Sequence, residues 1–169
     1  MDLHDEGAQA VSAREFTVPI DQRHFEDYAV GMSFEYGAVV VDEAEAIAFA
    51  ESFDPQPIHI DRVAAAQGPF GGLIASGWHT AALMMRLFVA NYLSSVASMA
   101  SPGIDELRWL KPVRPGDTLR IRVTVTEARR SRSKPDRGMV RTLIEVLNQH
   151  DEIVSSLKAM NLLRCRSRS

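Results

Sequence analysis

The first half of the chain changes from strand-like to helix-like hydrophobic spacing at Asp42. Ser33–Val41 alternates at first and then becomes β-branched, which predicts a strand. Apolar residues recur at helical spacing from Ala46 to Ala50, so we expect a helix that Asp42 caps, supported by Glu45 three positions later. Prolines 55 and 57 disfavour helix in the residues before them, so the helix should end near Phe53 and leave Asp54 in an extended turn.

The longest helix-compatible segment extends from about Ser76 to Val96. It contains no proline, and no glycine after Gly77. Its apolar residues cover nearly the whole circumference, which is typical of a helix buried in a core. A helix of about 20 residues is about 30 Å long. We therefore predict a central helix here, preceded by a short helix that Asp61 caps over Arg62–Ala66.

The last third of the chain reads as strands. After a break at Ser101–Gly103, apolar and polar residues alternate in four segments: Ile104–Leu110, Thr118–Arg129, Val140–Asn148 and Ile153–Leu163. The prolines of the segment LKPVRPGDTL make it a connection, and NQHDE reads as a hairpin turn. One long buried helix followed by a strand meander predicts an α+β fold, with an antiparallel sheet curled around the helix.

Composition limits the class of protein. The 169 residues suit a single domain, which we place at 25–164 between an N-terminal extension (1–24), partly disordered, and a basic tail (165–169). A net charge of -3 gives no field that favours nucleic acid. A lone cysteine, Cys165, predicts a reducing compartment and an inert thiol. With no signal peptide and no apolar run of ~20 residues, we expect a cytoplasmic protein without a membrane partner.

Asp54 and His59 are the first candidates for chemistry. Four residues separate them, two of which are prolines that stiffen the interval. A carboxylate beside an imidazole can hold a water, orient the ring and move a proton at neutral pH. The alternative is a capping aspartate and a hydrogen-bonded loop histidine. No metal is expected, because His59, Asp61 and His79 show no spacing that is typical of a metal site.

Gly77 is the second candidate, because it lies where the central helix begins. Helix N-termini carry unpaired N–H groups and partial positive charge, and glycine lets a ligand oxygen approach the backbone. An oxyanion hole has this construction. The alternative is a glycine that only permits close packing, and the sequence leaves both open.

Basic residues cluster between two of the predicted strands. Five of them fall within nine positions: Arg129, Arg130, Arg132, Lys134 and Arg137. Arginine and lysine pair with phosphates, so this loop is a candidate phosphate-binding site. A solvated hairpin tip is the other interpretation.

The segment from Phe25 to His79 resembles the MaoC-like dehydratases, a family that includes the (R)-specific enoyl-CoA hydratases. The signature is Asp54, four residues, His59 and then Asp61, with a small-residue helix start about eighteen positions after the histidine. LKPVRPGDTL resembles the family's PV-x-PGD connection. The resemblance covers residues 25–163 and implies the hot-dog fold, a long helix wrapped by an antiparallel sheet.

The resemblance also implies residue roles. Asp54 and His59 would share a catalytic water, and the N–H of Gly77 would bind the thioester oxygen. Ser76 and Trp78 would contact substrate, as would Arg130, Arg132 and Lys134 in the basic loop. Two departures from the family pattern stand out. The family usually reads D-x-N-P-x-H, whereas here Pro55 follows Asp54 and Gln56 replaces the asparagine. At the start of the helix, Ser76-Gly77-Trp78 replaces the usual HGM. The bulky Trp78 should reshape the acyl pocket.

The sequence thus predicts a hydro-lyase that reversibly adds water to a 2-enoyl thioester, without a cofactor other than the coenzyme A of its substrate. The alternatives are a hot-dog thioesterase, which would aim water at the carbonyl, and an acyl-CoA-binding protein without catalysis. Exposed sheet edges and a helix covered on one side predict a homodimer or higher homo-oligomer. The acyl group is not predicted beyond an expectation that Trp78 favours a short or branched one.

Overall fold

Five antiparallel strands form one sheet in the computed structural model, which describes residues 16–167. The order across the sheet is β1-β3-β4-β5-β2. The strands are β1 (Ser33–Val40), β2 (Ser98–Trp109), β3 (Thr118–Arg130), β4 (Arg137–Leu147) and β5 (Ile153–Arg164). The predicted hairpin turn at residues 148–152 joins β4 to β5, and the predicted connection at 110–117 leads into β3.

Four helices lie between β1 and β2: α1 (Glu43–Phe53), α2 (Pro57–Ile60), α3 (Arg62–Gln67) and α4 (Gly77–Asn91). A short 3-10 turn, Phe25–Asp27, lies within a segment without a predicted element. Asp42 caps α1 by accepting from the Glu45 N–H at 2.9 Å, and Asp61 caps α3 through two N–H groups, as predicted. The prediction missed α2, because Pro57 begins this helix instead of ending one.

The central helix, α4, is shorter than predicted. It has 15 residues and ends at Asn91, whereas the sequence pattern continued to Val96. Tyr92 is held at the helix end by tertiary hydrogen bonds: its hydroxyl lies 3.0 Å from that of Thr142, and its carbonyl accepts from Tyr28 Oη at 2.9 Å. These contacts between distant residues set the end of the helix, and hydrophobic spacing does not encode them.

The predicted break at Ser101–Gly103 is wrong. Strand β2 begins at Ser98 and continues through this segment to Trp109. Its pairing with β5 shifts register between Ala100 and Gly103. The proline and glycine therefore mark an irregularity on an edge strand, which is where such residues are tolerated.

The core lies between one face of the sheet and α4. Leu83, Met84 and Phe88 of the helix are buried against alternate residues of β3, β4 and β5. This sheet around one long helix is the predicted hot-dog fold. The other side of α4 stays exposed at Trp78, Met85 and Val89, so the prediction of a helix buried nearly all round is wrong for this face.

Both ends of the described chain pack on the domain. Phe16 stacks on Phe34 with a ring separation of 4.2 Å, and Arg23 is buried and donates to the carbonyls of Asn91 and Tyr92. Residues 16–24 therefore contact the domain, and the rest of the predicted extension lies outside the described residues. Cys165 is buried, and its burial raises the pKa of the thiol. No helix in residues 16–167 is long and apolar enough to cross a membrane.

Candidate active site

Asp54 lies directly after α1, in the turn that the prolines predicted. Its own N–H still donates to the carbonyl of Ala50 at 2.8 Å, and its backbone, at φ -153 and ψ 64, is neither helical nor extended, so the predicted extended conformation is wrong for this residue. Gln56 is extended because Pro57 follows it, and its N–H donates to the carbonyl of Asp54 at 2.7 Å. The turn therefore fixes the carboxylate relative to both α1 and α2.

His59 lies on the short helix α2 and not in a loop. It is buried, and its Nδ1 lies 2.8 Å from the carbonyl oxygen of Ile74. A carbonyl only accepts, so Nδ1 carries a proton and donates it. In the neutral ring this leaves Nε2 as the basic nitrogen, and Nε2 lies 3.3 Å from Oδ2 of Asp54. The structure thus brings together the two residues that the sequence paired.

Hydrogen bonds keep Asp54 ionised. Gln56 donates from Nε2 to Oδ1 at 2.7 Å, and Ser76 donates from its hydroxyl to Oδ2 at 2.7 Å. These two bonds, in that order, lower the pKa of Asp54 below its usual value, with a further contribution from the His59 charge. Gln56, which replaces the family's asparagine, therefore supports the carboxylate.

Ser76 anchors the carboxylate to the central helix. Its hydroxyl also accepts from the N–H of Trp78 at 3.2 Å, which makes Ser76 the N-cap of α4. The residue is completely buried, and its side chain contacts Asp54; the contact with substrate that the resemblance implied stays a prediction. One side chain joins the candidate acid–base group to the helix start.

Gly77 is the first residue of α4, so its N–H has no partner within the helix. A Cβ at this position would overlap the indole of Trp109, lying 2.7 Å from Cδ2 and closer to two other ring atoms. Close packing therefore requires glycine here. The alternative interpretation of Gly77 is thus supported, and it is compatible with oxyanion binding because the N–H belongs to the backbone.

A cavity of about 430 Å³ opens over these groups. Asp54, Gln56 and His59 form its polar end, and Gly77 and Trp78 begin its helical wall. The opposite wall comes from the connection after β2 and from neighbouring apolar side chains. The residues of this wall are Trp109, Leu110, Lys111, Pro112, Val113 and Val154.

Trp78 stands between this cavity and a second one. Its indole meets Trp109 edge-to-face, with ring centroids 5.3 Å apart, and it is 53% exposed, so it is not an ordinary core residue. Trp78 also lines an apolar groove of about 200 Å³ between α4 and the β2–β5 edge of the sheet. The role of Trp78 beside the acyl group stays a prediction, and the groove is the space in which that acyl group would lie.

The basic residues are not brought to the cavity within one chain. Arg130, Arg132 and Lys134 lie at or near the tip of the β3–β4 hairpin, where they line a separate depression. Strand β3 has 13 residues, and it begins beside the connection that walls the cavity. At about 3.3 Å per residue, the tip lies about 40 Å away along the strand.

Sequence reasoning missed several residues of the cavity. Trp109 was assigned to a strand without a role, and Lys111 was taken only as part of a connection, although both line the cavity wall. Lys111 pairs with Glu152 of the β4–β5 turn at 2.5 Å. The resemblance of LKPV to the family pattern was the one signal for this wall, and nothing in the sequence paired Trp109 with Gly77.

His79 does not line the cavity, and its burial should make the stability of the protein depend on pH. It is buried beside Phe49, and its Nδ1 has no hydrogen-bond partner within the described chain. Burial lowers the pKa of His79, with opposing effects of the Glu45 and Arg86 charges. The pKa of His79 is lower in the folded state than in the unfolded state, where it is about 6.5. The contribution of the neutral His79 to the free energy of unfolding is therefore complete above about pH 6.5. It is lost as the pH falls from there through the folded-state pKa.

We expect unfolding free energy to fall with acidification below about pH 6.5, by at most about 1.4 kcal/mol per pH unit from this residue. His79→Leu should remove that part of the pH dependence, as measured by urea unfolding between pH 7.5 and 5. His150 is exposed, so His150→Asn is the matched control. Its dependence of unfolding free energy on pH should follow that of the parent. Parallel profiles for His79→Leu and the parent would contradict the assignment.

Comparison with known proteins agrees with the fold at the level of class, a hot-dog domain. The sequence pattern of the MaoC like domain matches residues 25–146. The chain belongs to the MaoC-like dehydratase family.

Three similar proteins represent the family. The crystal structure of a MaoC-like dehydratase from Rhodospirillum rubrum superposes with a TM-score of 0.80 at 42% identity, over 86% of this chain and 99% of that one. The uncharacterized protein YdeM of Bacillus subtilis is 29% identical over 75% of this chain and 88% of its own length. A 3-hydroxybutyryl-CoA dehydratase of Methylorubrum extorquens is 33% identical over 62% of this chain and 64% of its own length.

Proposed function

We propose that this protein is a hydro-lyase that adds water reversibly across the C2=C3 bond of a 2-enoyl-CoA thioester. The observation that carries the proposal is the 3.3 Å approach of His59 Nε2 to Asp54 Oδ2 at the polar end of a cavity that begins at the Gly77 N–H. The name of the related 3-hydroxybutyryl-CoA dehydratase supports the substrate class.

The acid–base roles follow from the hydrogen bonds. Because Nδ1 of His59 is committed to the Ile74 carbonyl, Nε2 takes a proton from water as the water oxygen bonds to C3. The ionised Asp54 orients that water and stabilises the imidazolium that forms. The proton is then returned to C2, so the product gains one hydroxyl and one hydrogen.

The thioester oxygen lies against the Gly77 N–H in this proposal. Negative charge develops on that oxygen while C2 is an enolate, and the start of α4 supplies an unpaired donor and the positive end of the helix dipole. Trp109 covers the Cβ side of Gly77, so the substrate must approach from the cavity side.

The direct test is a panel of 2-enoyl-CoA thioesters, followed by the loss of absorbance of the conjugated thioester, with free thiol measured in parallel. Hydration bleaches the conjugated band and releases no thiol. Thiol release would instead make the protein a thioesterase, and binding without turnover across the panel would make it an acyl-CoA-binding protein.

The exposed side of α4 and the edge strand β2 form one apolar face, for which we propose a second copy of the chain as the partner. Met85 and Val89 of the helix are 45% and 48% exposed, and Ile104 and Trp109 of β2 are each 49% exposed. An open edge strand with apolar neighbours pairs readily with another strand. Two-fold symmetry that keeps both helices on one side of a continuous sheet makes the two β2 strands antiparallel.

We expect Met85→Glu to convert the dimer to a monomer, because a charge at the centre of the covered face would be desolvated without a partner. Light scattering behind size-exclusion chromatography measures this. Val63→Glu, at an apolar residue that is 70% exposed on α3, is the control and should leave the mass unchanged. A parent that is monomeric at micromolar concentration would contradict the proposed partner.

Antiparallel pairing also gives the basic hairpin a place in the function. Within one chain, β2 ends at the cavity, and the β3–β4 hairpin tip lies at the opposite end of the sheet. In the proposed dimer the partner's strands run the opposite way. The partner's hairpin would therefore lie at the same end of the dimer as this chain's cavity. In the described part of the chain, Arg129 pairs with Glu127 and Arg137 with Asp136, whereas Arg130, Arg132 and Lys134 have no direct ion pair. Arg130 donates from Nε to the carbonyl of Pro135 at 2.8 Å. These three are the cations available to coenzyme A phosphates.

Replacing all three of these cations by glutamine should raise KM for an enoyl-CoA, with little change in kcat, because the phosphates are bound equally in the ground and transition states. The matched control is the corresponding enoyl-pantetheine, which lacks the phosphates and whose KM should not change. An unchanged KM for the enoyl-CoA at low salt would return the hairpin to a solvated tip.

A further inference from the structure

The apolar groove beside Trp78 contains one polar side chain that its surroundings do not satisfy. Asn161 on β5 is 5% exposed, and its Oδ1 is buried without a hydrogen-bond partner in the described chain. Buried polar groups are nearly always paired, because leaving one unpaired is costly. Within one chain, the amide therefore has a hydrogen-bonding group that a ligand in the groove can satisfy.

The fold directs this amide at the groove. Asn161 follows Leu157 and Ala159 on the face of β5 that points to α4, and all three line the groove. The other lining side chains are apolar, apart from the indole N–H of Trp78 and Ser101, whose hydroxyl already donates to the carbonyl of Gly103 at 3.1 Å. Neither group donates to Oδ1 of Asn161 in the described chain.

The groove and the cavity over Asp54 share one lining residue, Trp78. From there the groove follows one side of α4 through Ala81 and Met85 to Phe88. A substrate whose thioester lies at Gly77 can extend its acyl chain past the Trp78 indole into this space. A volume of about 200 Å³ exceeds the ~150 Å³ cavity that holds benzene in an engineered protein, so several chain atoms fit.

We propose that the groove binds the distal part of the acyl group and that Asn161 selects acyl groups that carry a hydroxyl there. This rests on the proposed hydratase function and names the substrate class of the same site. A hydroxyl both donates and accepts, so it pairs with either end of the amide. An all-carbon chain of the same length leaves the amide unpaired, and sites built to bind a polar group reject such analogues.

The experiment compares matched pairs of trans-2-enoyl-CoA substrates with six and eight carbons, each with and without a terminal hydroxyl. In the parent, kcat/KM should favour the hydroxylated member by about tenfold or more for the length that reaches Asn161. In Asn161→Leu, which keeps the size of the side chain and removes its polarity, the preference should disappear or reverse. Leu107→Met, a conservative change in the same groove, should keep the preference of the parent.

Two further readouts separate the possible failures. Crotonyl-CoA has no chain beyond its fourth carbon, so its hydration by the parent tests the proposed hydratase without the groove; a parent inactive on the whole panel would refute that function and not the groove alone. Asn161→Leu should also melt at a higher temperature, because it removes an unpaired buried group. Activity without preference for the hydroxyl at either length, or a preference that survives Asn161→Leu, would overturn the inference.

Discussion

Asp54→Asn and His59→Ala should each lower kcat for hydration by about 10²–10⁴-fold while the protein stays folded, because each removes one member of the acid–base pair. The asparagine has the size of the carboxylate but no charge, so it neither stabilises an imidazolium at His59 nor accepts from both Gln56 and Ser76 as the carboxylate does. The alanine removes Nε2, the one basic nitrogen that faces Asp54.

Initial rates on an active enoyl-CoA, together with thermal melting, measure the two effects separately. Asp61→Asn is the matched control, because Asp61 is a nearby carboxylate that caps α3 and does not line the cavity. Asparagine is also a good N-cap, so this variant should keep activity within a few-fold. Near-normal turnover by Asp54→Asn would refute the shared-water mechanism.

The pH dependence gives an independent check on the same pair. The pKa of Asp54 is lowered, so the carboxylate keeps its charge, and the stability that its hydrogen bonds provide, until the pH falls below the usual range of an aspartate. A loss of kcat/KM on acidification that begins near neutral pH would therefore not report protonation of Asp54.

Gly77→Ala should have the second largest effect, because the added methyl group would overlap the Trp109 indole and displace either the indole or the first turn of α4. A displacement of about 1 Å at a catalytic group can cost about 10²-fold in rate. The alanine keeps its backbone N–H, so any loss reports the position of that donor.

A double variant separates packing from catalysis at Gly77. Trp109→Ala removes the overlapping ring, so Gly77→Ala combined with Trp109→Ala should recover activity relative to Gly77→Ala alone, with kcat and the melting temperature measured for all four proteins. Trp109→Ala alone is the reference for the lost cavity wall. Full activity of Gly77→Ala would show that the donor is not at this position.

The sequence was most informative where local rules determine the structure. Asp42 and Asp61 as caps, the end of α1 before Pro55 and the turn at residues 148–152 follow from residues close in sequence, and all are confirmed. The end of α4 was wrong by several residues, and there the carbonyls of Asn91 and Tyr92 accept from Arg23 and Tyr28, which are distant in sequence.

The candidate site shows the same division. The pairing of Asp54 with His59 was predictable because two prolines fix a short interval, and the structure brings these residues to 3.3 Å. The contact of Trp109 with Gly77 and the unpaired amide of Asn161 arise between strands and helices that meet only in the folded chain. No periodicity or motif marks such contacts, so they required the structure.

The single hydroxyl of Ser76 has a consequence for how this protein can change. It holds the Asp54 carboxylate and caps the helix that begins at Gly77, so it ties one member of the candidate pair directly to the proposed oxyanion donor. The side chains that line the groove along α4 and β5 are not part of this connection. Substrate range can therefore diverge through replacements along the helix face and β5 while the chemistry stays constant, so closely related sequences with the same reaction can serve different acyl groups.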